Sequence, residues 1–593
     1  MADSSDDEDL RQAIAMSLAE SGGTSSFPAD NDNSEDEDTR RAIALSLSQD
    51  PASGTAQPPG SQVDSVMGSQ AAASKNEASK YAPATGTTNN ASAQPRTDKS
   101  STAKPTGLLG LDRKAMEQER LARAGKRKRS VSPEMPSKQI MKSTMSEPAA
   151  QASTTNGLQY PRGTVKRTWA SKHSRSNDIT LGEVLQQSTL NIAVFSAFQF
   201  DSTWLHENHL DPYKVKQIWI FSAKGEDVQE KLLREAKETR IPNFKMIFPP
   251  LPGQTLNMHG KLMLLFHDDH LRVVVSTANM IKEDWGEVGN VWQAGVMENT
   301  VFLIDLPRRS DGKLAEKIGT AFGDELLRYL RAQKVSQNVL DGLLKFDFTA
   351  TAGFAFVHSL AGTTSGPERS RTGLPSLAKA IRDLKLDDID RLEIDYATSS
   401  LGALKEPFMK QVYLAACGLS PLSDAAKDVD VLERFRVYFP TKETVTNSTG
   451  GPDCGGIITL NREFYNASTF PRQCLRDYQS IRPGLLSHNK LLFARGRKKD
   501  GTPIAWAYVG SANLSEAAWG MQKVLKSGKE GSSLVRNWEC GVVVPVPAEN
   551  IKAADLPEGV IPPMSVFAGT VDVPFVHPAA EYGGKEPWIF RSY

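Results

Sequence analysis

Two stretches of the chain place a histidine and a lysine one residue apart at the head of an apolar block. The first is His259-Gly-Lys261 followed by Leu-Met-Leu-Leu-Phe266; the second, 229 residues on, is His488-Asn-Lys490 followed by Leu-Leu-Phe. In a strand, side chains i and i+2 share a face, so each imidazole and ammonium are expected to project together from a strand anchored by its apolar run. An imidazole titrates near neutrality and a lysine is a cation, so such a pair suits a phosphate: one group attacks or moves a proton while the other holds charge. A lone His-x-Lys is as readily a hydrogen-bonded strand edge. Further agreement sets that reading aside: RVVVSTANMIKEDW follows the first pair, with Asn279 and Trp285, and AWAYVGSANLSEAAW the second, with Asn513 and Trp519. Two matching units this far apart imply two similarly folded halves.

The elements that must position these residues follow from local pattern. Thr180-Leu-Gly-Glu183 ahead of an apolar run reads as a capping box opening a helix. NIAVFSAFQF, KQIWIFSA, KLMLLF, LRVVVST and TVFLIDL read as strands of the first half, and RLEIDYATSS, RFRVYFPT, GIITL, KLLFAR, AWAYVGSA and CGVVVPV as strands of the second. DVQEKLLREAKE and SLAKAIRDLK read as helices between them. The expected fold class is α/β, with α+β mixed sheets: two similar domains, 156–350 and 351–593, each a mixed sheet flanked by helices.

Composition bounds the rest. The 593 residues carry zero formal net charge, unevenly spread: the first fifty are strongly acidic, and a KRKR run stands at Lys126 to Arg129. Up to about residue 155 the only aromatics are Phe27 and Tyr81 amid Ser, Ala, Thr, Pro and Gln. Such a segment cannot bury enough apolar area to offset chain entropy, so 1–155 is expected to be a disordered tail. Within it Asp6 to Glu20 and Glu35 to Gln49 are near-duplicates, each an acidic cluster leading into an amphipathic helix, with the acids at the favourable end of the helix dipole. KRKR, followed by Ser130 and Ser132-Pro133, reads as a nuclear import signal. Cys417, Cys454, Cys474 and Cys540 form no CxxC pair, which argues against a zinc site or a disulfide scaffold and fits a reducing compartment. MADSSDDEDL has no signal-peptide pattern, and no apolar run reaches about 18 residues, so a soluble, nuclear protein without a membrane partner is expected.

The tail repeats resemble ubiquitin-interacting motifs, in which small residues let a helix lie close to an apolar patch. Leu10, Ala13, Ser17 and Glu20 fit in the first copy; Ala42 and Ser46 fit in the second, where Thr39 and Gln49 depart from the pattern and imply weaker binding. The resemblance implies ubiquitin or ubiquitylated proteins as partners of the tail.

The two His-x-Lys units with their downstream asparagines resemble the phospholipase D superfamily, whose active site forms where two half-sites meet about a pseudo-twofold axis. Most members carry HxKxxxxD; here the fifth position after lysine is Phe266 in one copy and Arg495 in the other. That departure is similar to the tyrosyl-DNA phosphodiesterases, as is Glu539 in RNWECGVVV, and the resemblance covers about residues 160–593. It implies a DNA-repair hydrolase. His259 would attack the 3′ phosphorus, and His488 would protonate the departing tyrosine oxygen and then activate water, leaving a 3′ phosphate. Lys261, Lys490, Asn279 and Asn513 would hold the non-bridging oxygens, with Glu539 and Asn290 (where relatives often have glutamine) fixing the imidazole tautomers. No metal or other cofactor is required. The implied partners are single-stranded or nicked DNA with a 3′ tyrosyl adduct and the topoisomerase-derived peptide, bound by a monomer.

Thr398, Ser399 and Ser400 in YATSSLG resemble the family's phosphate-contacting serine-rich loop, a strand-end turn being the equal alternative. Phe198 and Trp588 are read as lining the DNA or peptide groove, with core packing as the alternative. His267-Asp-Asp-His270 is read as a polar hairpin tip rather than a metal cluster. His206 and His209 lack HExxH spacing and are read as surface helix residues. Two other functions stay open: a superfamily phosphodiesterase acting on lipid or RNA, and a catalytically dead ubiquitin and DNA adaptor.

Overall fold

Runs in which nearly every position is apolar mark strands covered on both faces, and in the computed structural model they build two sheets of one design. The structure describes residues 158–589 apart from 254, 289–295 and 528–529, so the tail motifs with Leu10, Ala13, Ser17, Ala42 and Ser46, the KRKR run, and Asn290 lie outside the described residues.

The first sheet runs Asp178–Ile179, Thr164–Thr168, Thr300–Pro307, His270–Ser276, Leu262–His267, Leu190–Ser196, Lys216–Ile220, Phe244–Ile247. The second runs Ala355–Ser359, Asn537–Pro545, Pro503–Gly510, Leu491–Lys498, Ile389–Ala397, Phe435–Phe439, Leu475–Asp477. Setting aside the short outermost strand of the first, each sheet makes four antiparallel pairings followed by two parallel ones. The mixed sheets inferred from the strand runs are thus present, and they match strand for strand.

Strand alternation sends Val273 and Val275 to one face and Val274 to the other. The first face meets Phe493, Val509 and Val542 of the second sheet in a core shared by both halves. Leu326, Tyr329 and Leu330 of helix Ala321–Ala332, and Leu340 and Leu343 of helix Gln337–Leu343, join the same core. Leu377 and Ile381 of helix Leu374–Asp383, with Phe408 and Val412 of helix Glu406–Ala416, cover the outer face of the second sheet. Each such side chain, fully buried, contributes about 1.5–3 kcal/mol, so neither sheet keeps its inner face dry without the other.

The residues at the missing aspartate position are absorbed into this framework. Phe266 packs on Phe346 in the shared core, ring centroids 5.9 Å apart, and Arg495 donates to Asp395 Oδ2 at 2.7 Å and to the Pro562 carbonyl at 2.9 Å. Thr180 and Glu183 form the expected capping box on helix Leu181–Leu185. His267 and His270 flank the Asp268-Asp269 hairpin tip as anticipated, but their rings are buried and stacked, centroids 4.3 Å apart. His206 and His209 are not surface groups. They sit on the π-helical turn Leu205–His209, which sends His206 inward to Gln217 Oε1 at 3.0 Å and His209 to Glu287 Oε1 at 2.6 Å.

Candidate active site

Each His-x-Lys unit lies where the chain crosses from one sheet to the other. The strand Asn257–Met258 pairs with Asn537–Trp538 of the second sheet, His259 N–H donates to the Trp538 carbonyl at 3.0 Å, and the first-sheet strand begins only at Leu262. The second half repeats the device: Leu486–Ser487 pairs with Met297–Glu298, His488 N–H donates to the Glu298 carbonyl at 2.9 Å, and the strand begins at Leu491. Both units therefore occupy the link feeding the strand rather than the strand itself, one residue ahead of where the apolar pattern put them. Lys261 Nζ turns back onto the His259 carbonyl at 2.8 Å, and Lys490 Nζ onto that of His488.

The histidines are oriented reciprocally. His259 Nδ1 lies 2.8 Å from Glu539 Oε2 of the second half, and Glu539 also accepts from Ser511 Oγ and from Asn537 Nδ2 at 3.0 Å. His488 Nδ1 lies 3.0 Å from Asp284 Oδ2 of the first half, which also accepts Asn279 N–H at 2.7 Å. A carboxylate on Nδ1 fixes the proton there and leaves Nε2 as the reactive nitrogen of each ring.

Asp284 is the functional residue that pattern reading missed, and the repeat explains why. Thr300 N–H donates to Thr277 Oγ1 as Cys540 N–H donates to Ser511 Oγ, both at 3.0 Å, which makes Asn299 the counterpart of Glu539. Asp284 stands five residues after Asn279, and the same place after Asn513 is Ala518. The acid has thus moved from the strand in one half to the turn in the other, with Asn299 Nδ2 donating to the Asp284 carbonyl at 3.0 Å. The signal was present as the aspartate of KEDW, immediately ahead of the repeated tryptophan. Gly286 closes that turn at φ 79°, where a Cβ would stand 1.7 Å from the Trp169 carbonyl oxygen, so only glycine lets the turn seat Asp284.

The downstream asparagine of each unit is held by its own half. Asn513 Oδ1 accepts from Thr398 Oγ1 at 2.9 Å, Ser399 Oγ at 3.2 Å and Ser400 N–H at 3.1 Å, leaving Nδ2 to donate elsewhere. Of the expected DNA contacts, Thr398 and Ser399 are buried with their hydroxyls at Asn513, Thr398 Oγ1 also reaching the Ser400 carbonyl at 2.8 Å, while half-buried Ser400 accepts from Thr459 Oγ1 at 2.6 Å and keeps its own O–H to donate. Asn279 is held by Asp284 at its N–H, by Trp285 Nε1 at its carbonyl (2.9 Å) and by Gln199 at its side chain (3.3 Å). Phe198 is exposed beside His259, ring centroids 5.7 Å apart. Trp588 is not in a groove; it is 3% exposed in the core of the second half and donates to the Gly455 carbonyl at 3.0 Å.

Electrostatics tie the halves together. Burial pushes the His259 imidazole down, Glu539 opposes this, and both Lys261 and Lys490 add to the depression. Burial pushes His488 down to about 3, opposed by Asp284 and deepened by Lys490 and Lys261. Each ring thus feels the lysine of the other half. Burial lowers Lys261 to about 8 and Lys490 well below its ordinary range, the latter with added repulsion from Lys261. Burial works to raise Asp284, but His488, the Asn279 N–H and Lys490 outweigh it and hold the carboxyl low. The result is a site suited to an anion: two lysines, each drawn down by burial, beside two imidazoles whose Nδ1 atoms are held by carboxylates. A phosphodiester charge placed there opposes the lysine repulsion and favours an imidazolium.

A family model described as tyrosyl-DNA phosphodiesterase matches residues 164–583, and two ubiquitin interaction motif models match 5–21 and 34–50. The Arabidopsis thaliana protein named tyrosyl-DNA phosphodiesterase 1 is 26% identical over 395 residues, covering 63% of this chain and 59% of its own. The Drosophila melanogaster protein of that name is 25% identical over 387 residues, covering 63% of each. The chain therefore spans about three-fifths of the length of these relatives. A crystal structure of the yeast tyrosyl-DNA phosphodiesterase superposes with a TM-score of 0.51 at 17% identity, over 73% of this chain and 100% of that one, which shows a shared fold.

Proposed function

The chain belongs to the tyrosyl-DNA phosphodiesterase family, and on that premise we propose that it hydrolyses the bond between a DNA 3′ phosphate and a topoisomerase-derived tyrosine. The observation that carries this reading is the reciprocal pairing of His259 with Glu539 and His488 with Asp284, which leaves one free Nε2 from each half beside two lysines.

His259 Nε2 attacks phosphorus and the bond to the tyrosine oxygen breaks, the proton on His488 Nε2 passing to that oxygen. His488, now neutral, takes a proton from water as the water oxygen attacks phosphorus; the P–N bond breaks, leaving a 3′ phosphate and free His259. Lys261, Lys490 and the amides of Asn279 and Asn513 stabilise the charge on the non-bridging oxygens, a single good donor being worth about 2.7–4 kcal/mol. Glu539 and Asp284 hold the tautomers. Phe198, at the rim, contacts the DNA or the peptide.

The tail recruits the enzyme to ubiquitylated adducts, Leu10, Ala13 and Ser17 forming the stronger motif and Ala42 and Ser46 the weaker, and KRKR directs it to the nucleus. Ala13→Asp is expected to weaken capture of the full chain on immobilised ubiquitin far more than Ala42→Asp. For the core, an oligonucleotide ending in 3′ phosphotyrosine is the test: the wild type releases tyrosine and a 3′ phosphate, and His259→Ala does not. A 3′ hydroxyl product, or full turnover by His259→Ala, would sink the reading.

A further inference from the structure

The loops that follow Leu190–Ser196 and Ile389–Ala397 are counterparts. Phe200 bridges Met280 as Leu401 bridges Leu514, and Met280 and Leu514 each directly follow the asparagine of their half. Asp201 N–H donates to the Met280 carbonyl at 2.8 Å, and Gly402 N–H to that of Leu514 at 3.3 Å. This alignment makes Gln199 the counterpart of Ser400.

In the second half the sense of the amide is fixed. Ser400 N–H can only donate, so the atom of Asn513 it meets is oxygen, and Nδ2 is left for a phosphate oxygen, which can only accept. In the first half the only side-chain partner of the Asn279 side chain among the described residues is another amide, and two planar amides can bond in either sense. In one sense Asn279 Nδ2 donates to Gln199 Oε1 at 3.3 Å, while Asn279 Oδ1, in a residue 2% exposed, has no partner among the described residues. With both amides turned, Gln199 Nε2 donates to Asn279 Oδ1, the orphan acceptor is satisfied and Nδ2 is freed, as in Asn513.

We propose that Gln199 is the positioning residue for Asn279: its Nε2 donates to Asn279 Oδ1 and so aims Asn279 Nδ2 at a non-bridging phosphate oxygen. This rests on the phosphodiesterase reading above. Gln199 does for the first half what the loop Thr398, Ser399 and Ser400 does for the second, with one amide in place of two hydroxyls and an N–H.

The test is a double-mutant cycle on cleavage of the 3′ phosphotyrosyl oligonucleotide, with Gln199→Leu and Gln199→Glu each made in the wild-type and Asn279→Ala backgrounds. Gln199→Leu is expected to lower kcat about tenfold with KM nearly unchanged, as one lost amide hydrogen bond. Gln199→Glu, nearly isosteric but acceptor-only, holds Nδ2 away from the phosphate and should lower kcat further, on the order of a hundredfold. In the Asn279→Ala background both substitutions should change kcat by less than about twofold. A Gln199→Glu enzyme as fast as wild type, or losses that persist undiminished without Asn279, would overturn the assignment. A wild type that leaves the oligonucleotide uncut would instead overturn the phosphodiesterase reading beneath it.

Discussion

Replacing Asp284 by Asn removes one negative charge and almost no volume. Asp284 is fully buried, and its Oδ2 accepts both His488 Nδ1–H at 3.0 Å and Asn279 N–H at 2.7 Å. The amide oxygen of Asn serves both donors, so the geometry survives while the charge that favours the His488 imidazolium is lost. A hydrogen bond to a charged group is worth about 1.5–3 kcal/mol and a neutral one about 0.5–1.5, so the loss is about 1–2 kcal/mol. That is about 5- to 30-fold in rate. Both steps suffer, because His488 becomes a scarcer acid towards tyrosine and a weaker base towards water. Asp284→Ala goes further, leaving two buried donors without an acceptor at about 1–3 kcal/mol each. Rapid-quench assays on the 3′ phosphotyrosyl oligonucleotide, resolved on denaturing gels into substrate, covalent adduct and product, are expected to show both phases slowed in Asp284→Asn. Its melting temperature should stay close to that of the wild type. Wild-type rates in both phases would refute the pairing of Asp284 with His488 as a catalytic device.

Burial brings Lys261 down to about 8, so its ammonium is present below that pH and is lost as pH rises through it; kcat/KM on the phosphodiester should fall above about pH 8, and a flat profile to pH 10 would contradict the assigned charge clamp. The charge-holding groups are lysines and amides, so cleavage should survive excess EDTA, and inactivation by the chelator would remove the mechanism. Trp588→Ala empties a core site against Gly455, where a Cβ would stand 2.6 Å from the Trp588 ring. It should cost about 3–5 kcal/mol in denaturant unfolding while sparing DNA affinity; unchanged stability with weakened DNA binding would place Trp588 back in a groove.

What was legible in the sequence was what the chain says twice. His259 and His488, Lys261 and Lys490, Asn279 and Asn513 announce themselves because each residue has its copy in the other half, and the apolar strands around them repeat in the same order. Asp284 stayed hidden because the two halves solve one problem at two places: its counterpart is Ala518, while the counterpart of Glu539 is Asn299. Thr398 and Ser399 look like a ligand loop by composition, and only the fold shows their hydroxyls turned inward onto Asn513. Trp588 and His206 failed for a plainer reason. Aromatic rings serve cores and grooves alike, and chain order alone does not tell which surface a loop or turn will cover.

The central claim is that His259 and His488 act on one phosphorus from opposite halves of the molecule. Mass-spectrometric mapping of the adduct formed by His488→Ala with the 3′ phosphotyrosyl oligonucleotide tests it most directly. A stable covalent enzyme–DNA species joined through phosphorus to the imidazole of His259 is the predicted result. Attachment at any other residue, or rapid full turnover without an adduct, would contradict it.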